Sequence, residues 1–136
     1  MRSSTSVRLT FRKPERLVSK TVFETLFKSG TSRHDFPIRM VWVNTSLPSA
    51  SPVQVAFSVS KRNFKRAVDR NRIKRLMREA YRQNKNELYP LLQQQHKQMA
   101  LLLIFTGKSI TDYTVILEKI KVLLQHLVKS IEQNHR

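Results

Sequence analysis

Residues 61–85, KRNFKRAVDRNRIKRLMREAYRQNK, constrain the fold more than any other stretch. They hold eleven Lys and Arg against Asp69 and Glu79, a net of +9 out of +17 for the whole chain. On a wheel at about 100° per residue, Ile73, Leu76, Met77 and Ala80 share one stripe. Asn71, Lys74, Arg75, Arg78, Arg82 and Lys85 fall opposite, with Arg70 and Arg72 at the edges. The pattern predicts a helix from about 65 to 84 that packs one side and shows a cationic side to solvent. A solvated face normally interleaves acids at i,i+4. Neither acid lies on this stripe, so its cations repel one another until a polyanion offsets the repulsion. Arg outnumbers Lys seven to four in the stretch, and a guanidinium can grip phosphate bidentately or stack on a base. Asn71 can pair with a base edge or a 2′-hydroxyl.

The rest of the chain reads as small alternating elements. Val22, Phe23, Leu26 and Phe27 predict an amphipathic helix over 19–29, with Gly30 as its stop. A strand over 36–45 puts Ile38, Met40 and Trp42 on one face. The segment SLPSASP is a loop joining it to an antiparallel strand over 53–60. Beyond the basic helix, Pro90 and the glutamine run at 93–95 mark a polar connection. MALLLIF at 99–105 is too short for a typical helix and reads as a strand buried on both faces. Thr111 or Asp112 caps a last helix whose core stripe is Ile116, Ile120, Leu123, Leu124, Leu127 and Ile131. The order α-β-β-α-β-α predicts an α+β sandwich, a small sheet packed by helices. Residues 1–14 read as a flexible basic arm and 15–133 as a single domain, as 136 residues allow.

A pI near 11.2 points to nucleic acid before any other partner. With no cysteine, disulfides and thiolate metal sites are excluded and a reducing, cytoplasmic home is expected. The N-terminus lacks the apolar core of a secretory signal, and seven apolar residues at 99–105 cannot span a bilayer. No protein active site emerges. His34, His96, His126 and His135 lack metal-ligand spacing, and the nine acids are scattered, whereas a magnesium-dependent protein nuclease needs them clustered. Gly107-Lys108-Ser109 ends like a phosphate-binding loop, but position 102 is leucine where that loop needs glycine.

The string Ala67-Val-Asp-Arg-Asn-Arg-Ile-Lys-Arg-Leu-Met-Arg-Glu-Ala-Tyr-Arg82 resembles the RNR signature helix of the bacterial ribonuclease P protein component. Phe57-Ser-Val-Ser-Lys61-Arg62 resembles the strand feeding that helix. Glu15-Arg16-Leu17, Phe23, Phe27 and Gly30 resemble its first helix and turn. The likeness runs over roughly residues 11–130. One departure is the link Asn63-Phe64-Lys65-Arg66, which has no glycine and is one residue longer than the family's usual turn.

The resemblance implies a protein subunit that assists a catalytic RNA in removing the 5′ leader of precursor tRNA. The holoenzyme is an endoribonuclease that uses Mg2+ held by the RNA, and the protein alone is inactive. Arg70, Asn71, Arg72, Lys74, Arg75, Arg78 and Arg82 would meet the RNA subunit. Phe23, Phe27, Lys61, Arg62 and Trp42 would meet the leader in a cleft between the first helix and the sheet. The fold implied is ribosomal protein S5 domain 2-like, with a left-handed β-α-β crossover. No membrane or protein oligomer is required. From spacing alone Phe23 and Phe27 could equally be core residues. A general RNA-binding protein of the ribosomal type is the alternative reading. A leucine-zipper factor is disfavoured because Leu88-Tyr89-Pro90 interrupts the heptads such a factor needs.

Overall fold

The computed structural model describes residues 11–134. After a 3-10 turn, Lys13–Glu15, come helix α1 (Lys20–Ser29) and strands β1 (Thr31–Asp35), β2 (Ile38–Asn44) and β3 (Val53–Val59). Helices α2 (Ala67–Asn84) and α3 (Leu88–Gln94), strand β4 (Met99–Phe105) and helix α4 (Tyr113–Asn134) follow. The sheet order is β1-β2-β4-β3.

The apolar run at 99–105 forms the interior strand. β4 runs antiparallel to β2 and parallel to β3, and every residue but Ile104 is buried. Met99, Leu101, Leu103 and Phe105 face the main core, built with α2, α3 and α4. Ala100 and Leu102 face a smaller core with Leu17, Val22 and Leu26 on the α1 side. The molecule is thus three layers, with α1 on one face of the sheet and three helices on the other. All six stripe positions expected on the last helix are buried in the main core.

Three expectations need correction. The strands at 38–44 and 53–59 do run in opposite directions, but β4 lies between them and they do not pair. A fourth strand, β1, precedes them as an edge; its residues Thr31–His34 are exposed, so no apolar alternation marks it. The stretch expected as a polar connection contains α3, with Leu88, Tyr89 and Leu92 buried. Pro90 is tolerated there because the first helical turn needs no donor N–H.

Gly30 does end α1, but with φ −71° it sits in ordinary extended backbone. Its need is for space: a Cβ would lie 2.3 Å from the Leu26 carbonyl oxygen and 2.8 Å from Val41. Of the expected N-terminal arm, residues 1–10 lie outside the described residues. Phe11 packs edge-on against Phe57 and Tyr81 at 5.8 and 6.3 Å between centroids.

Lys85 overturns part of the helical wheel. Expected on the cationic stripe, it is 1% exposed and holds Glu15 at 2.5 Å. The wheel fails there because α2 ends at Asn84 and Lys85 is its C-terminal cap. Tyr89 donates to the same carboxylate oxygen at 2.7 Å, and the Tyr81 and Tyr89 hydroxyls meet at 2.8 Å. Burial, more than any neighbour, pushes both phenols up from their ordinary value. A phenol so raised stays neutral in the folded chain after the unfolded one has ionised near pH 10. Stability is therefore whole below about pH 10 and falls above it, by up to about 2.7 kcal/mol per pH unit while both phenols stay neutral. Urea unfolding at pH 9, 10 and 11 checks this. Tyr81→Phe should roughly halve the alkaline slope, and an unaltered slope would refute the assignment.

Candidate nucleic-acid interface

The exposed side of α2 carries Asn71, Arg72, Arg75 and Arg78, with Lys74 half-buried at its border. Ile73, Met77, Ala80 and Tyr81 anchor the opposite side in the core. Leu76, expected with them, is only partly buried. Among the described residues no carboxylate pairs with Arg72, Lys74, Arg75 or Arg78. Arg78 is pushed below its ordinary value, first by burial and then by the charges of Arg16 and Arg75. Burial is the larger cause, and the two neighbouring cations add to it.

Two members of the expected face are engaged within the protein. Arg82 forms an ion pair with Glu79, a close contact that raises the guanidinium and lowers the carboxyl. Arg70 turns back on the chain, and its Nη1 donates to the carbonyl oxygens of Phe64 and Lys65 at 2.7 and 2.9 Å. Phe64 is buried against Phe105 at 5.9 Å between centroids. The glycine-less link is thus held at its middle, by an aromatic plug at Phe64 and by a guanidinium tie to the Phe64 and Lys65 carbonyls.

On the other face of the sheet, α1 leaves an open strip. Phe23, like Ala56 and Ile104, packs against the smaller core, while Phe27 is 70% exposed and stacks on Phe23 at 6.1 Å. The alternation of the strands adds Ser58, Arg39 and His34 to the row of Ile104. Sequence reasoning missed these three, since their shared row exists only once β4 is seated between β2 and β3. Lys61 and Arg62 follow the carboxyl end of β3, beyond the Ser58–Ile104 pair. Arg62 and Lys108 flank an open depression there with Ser60 and Asn63. Trp42 is not brought to this face. It shares the side of Ile38 and Met40 and packs against the main core, so it cannot join Phe23 and Phe27 in one cleft.

A second depression, about 430 Å3, lies between the N-terminal segment, β3 and α2. Phe11, Arg16, Phe57, Lys74 and Arg78 are among its lining residues. Arg78 lies 5.9 Å from the Phe57 ring centre and Arg16 lies 5.8 Å from that of Phe11. Both are within cation–π range.

Nothing described here fits a protein-held magnesium ion. No three His, Asp or Glu side chains gather as a metal site among the described residues. Glu15, Glu79 and Asp35 each pair with a different cation, Lys85, Arg82 and Lys119. No helix among the described residues is long and apolar enough to cross a membrane.

The family model for Ribonuclease P matches residues 11–128. A ribonuclease P protein component from Chlorobium phaeobacteroides is 37% identical, covering 85% of this chain and 86% of its own length. One from Porphyromonas gingivalis is 35% identical over 76% of each chain. The ribonuclease P protein structures of Staphylococcus aureus and Thermotoga maritima superpose with TM-scores of 0.66 and 0.65. They are 20% and 23% identical, cover 83% and 82% of this chain, and are themselves covered over 94% and 96%. At that identity they speak to the fold alone: an α+β domain with a small mixed sheet packed by helices.

Proposed function

The chain belongs to the bacterial ribonuclease P protein family, and on that premise we propose how its two faces divide the work of a ribonucleoprotein. It acts as the protein subunit of ribonuclease P, assisting removal of the 5′ leader from precursor tRNA. The α2 face, with Asn71, Arg72, Lys74, Arg75 and Arg78, meets the catalytic RNA. Arg70 and Arg82 stand behind that face, Arg70 by fixing the turn before the helix and Arg82 through its pairing with Glu79. The observation that carries this reading is a dense cationic helix face without counter-charge, in a chain that belongs to this family. Magnesium and the hydrolytic step belong to the RNA, and the protein orders the charged strands around them. A cysteine-free chain suits the reducing cytoplasm.

The leader runs over the α1 side. Phe27 offers a solvent-facing ring and Phe23 a half-buried one, a sequence-tolerant platform for splayed bases. Lys61 and Arg62 take leader phosphates at the strand end. The test is a cleavage assay on precursor tRNA in magnesium, with and without the RNA subunit. Specific 5′-leader removal is expected only with the RNA. Robust cleavage by the protein alone overturns the proposal. In binding assays on the assembled holoenzyme Phe27→Ala should weaken long-leader precursor by roughly 5- to 150-fold, the worth of about 1–3 kcal/mol per stacked base. Binding of mature tRNA should be spared. Equal losses on both would return Phe27 to a structural role.

A further inference from the structure

The depression between Phe11, Arg16, Phe57, Lys74 and Arg78 is built differently from either surface above. A duplex backbone needs only a convex or flat array of cations. Here the cations surround two rings, in a concavity within the range of small-ligand sites, about 300–1,000 Å3. The rings are held in place from behind. Phe57 and Phe11 each pack edge-on to Tyr81, at 6.0 and 6.3 Å, and Tyr81 is tied through Tyr89 to the buried Glu15–Lys85 pair. Among the described residues Arg16, Lys74 and Arg78 have no carboxylate partner, because the adjacent Glu15 and Glu79 serve Lys85 and Arg82.

We propose that this depression captures one unpaired nucleotide of the RNA subunit, its base stacked among Phe57, Phe11 and the two guanidiniums, its phosphates held by Arg16, Lys74 and Arg78. Preordered rings lower the cost of stacking, and arginines lying over rings already show the geometry that a base would extend. The RNA subunit is the source rather than the leader because Lys74 and Arg78 are shared with the α2 face. The proposal rests on the reading that α2 meets that RNA.

The test measures binding of the transcribed RNA subunit, without tRNA, across a salt series. Arg16→Gln should weaken it about 5- to 10-fold and take about 0.7–0.9 off the log–log salt slope. Phe57→Leu should weaken it about tenfold and Phe57→Tyr, which keeps the ring, should not. If circular dichroism shows that Phe57→Leu fails to fold, Arg16→Gln decides alone. Arg72→Ala is run beside them. If Arg72→Ala loses affinity while Arg16→Gln keeps both affinity and slope, the nucleotide site is overturned and the helix face stands. If neither changes, both fall. Long-leader precursor binding to the assembled holoenzyme is measured as well: if Arg16→Gln impairs that alone, the occupant is the leader and the proposal is wrong.

Discussion

Glu15→Ala is expected to destabilise the fold by about 3–5 kcal/mol, the usual cost of removing one partner from a buried ion pair. Lys85 is 1% exposed, and its ammonium lies 2.5 Å from Glu15 Oε1. The same carboxylate accepts from the Tyr89 hydroxyl at 2.7 Å and from the Arg12 backbone N–H at 3.0 Å. Alanine would leave the ammonium without its carboxylate and the phenol without its acceptor. The Tyr89 ring, 4.8 Å from the ammonium, offsets only a part of that. Glu15→Gln with Lys85→Met removes both charges together and should cost far less than Glu15→Ala, since the desolvation penalty then vanishes with the pair. Urea midpoints for the three chains decide the matter. A loss below 1 kcal/mol for Glu15→Ala, or a double variant as unstable as the single one, would mean the pair is not the clamp that its burial implies.

That clamp also marks where local pattern stops informing. Residues 67–84 were legible because two independent signals agree, a 3.6-residue apolar period and a charge imbalance. Lys85 shares the charge but not the fate, because its partner lies 70 positions earlier in the chain. No periodicity reports such a distance. The strand at 99–105 was legible as buried on both sides for the same reason that its neighbours were not assignable. A uniformly apolar strand carries no face signal, so nothing in MALLLIF says that Leu101 meets Trp42 on one side and Val55 on the other. With that register unknown, Trp42 was free to be placed with Phe23 and Phe27. Once β4 is seated, alternation puts Trp42 with Met40 on the far face.

The missed elements failed for local reasons. β1 is a polar edge strand whose register with β2, and not its composition, makes it a strand. α3 begins with a proline in its first turn and stops without glycine. His96 takes the left-handed conformation there, φ 57°, and the Lys97 N–H reaches back to the Leu92 carbonyl at 3.0 Å. A reader looking for glycine finds no stop and no helix. The departure at Asn63–Arg66 proved to be a working joint, since Phe64 fills the core beside Phe105 and Arg70 ties the link's carbonyls.

Arg72→Ala with Arg75→Ala is expected to weaken RNA-subunit binding on the order of a hundredfold, taking each charged hydrogen bond at about 1.4 kcal/mol. Both side chains are exposed on α2 and neither pairs with a carboxylate among the described residues, so the folded chain should lose almost nothing. The log–log salt slope should shrink by about 0.7–0.9 for each phosphate contact removed. Arg70→Ala separates charge from architecture. Its guanidinium holds the carbonyls of Phe64 and Lys65, so this variant should lower the thermal midpoint as well as affinity. The pairing of affinity with slope is what makes the test specific. A hundredfold loss with an unchanged slope would mean that Arg72 and Arg75 touch bases or sugars and not phosphate. A full slope change from Arg70→Ala with an unchanged midpoint would mean that Arg70 leaves its carbonyls for the RNA, and that the turn before the helix is held by Phe64 alone.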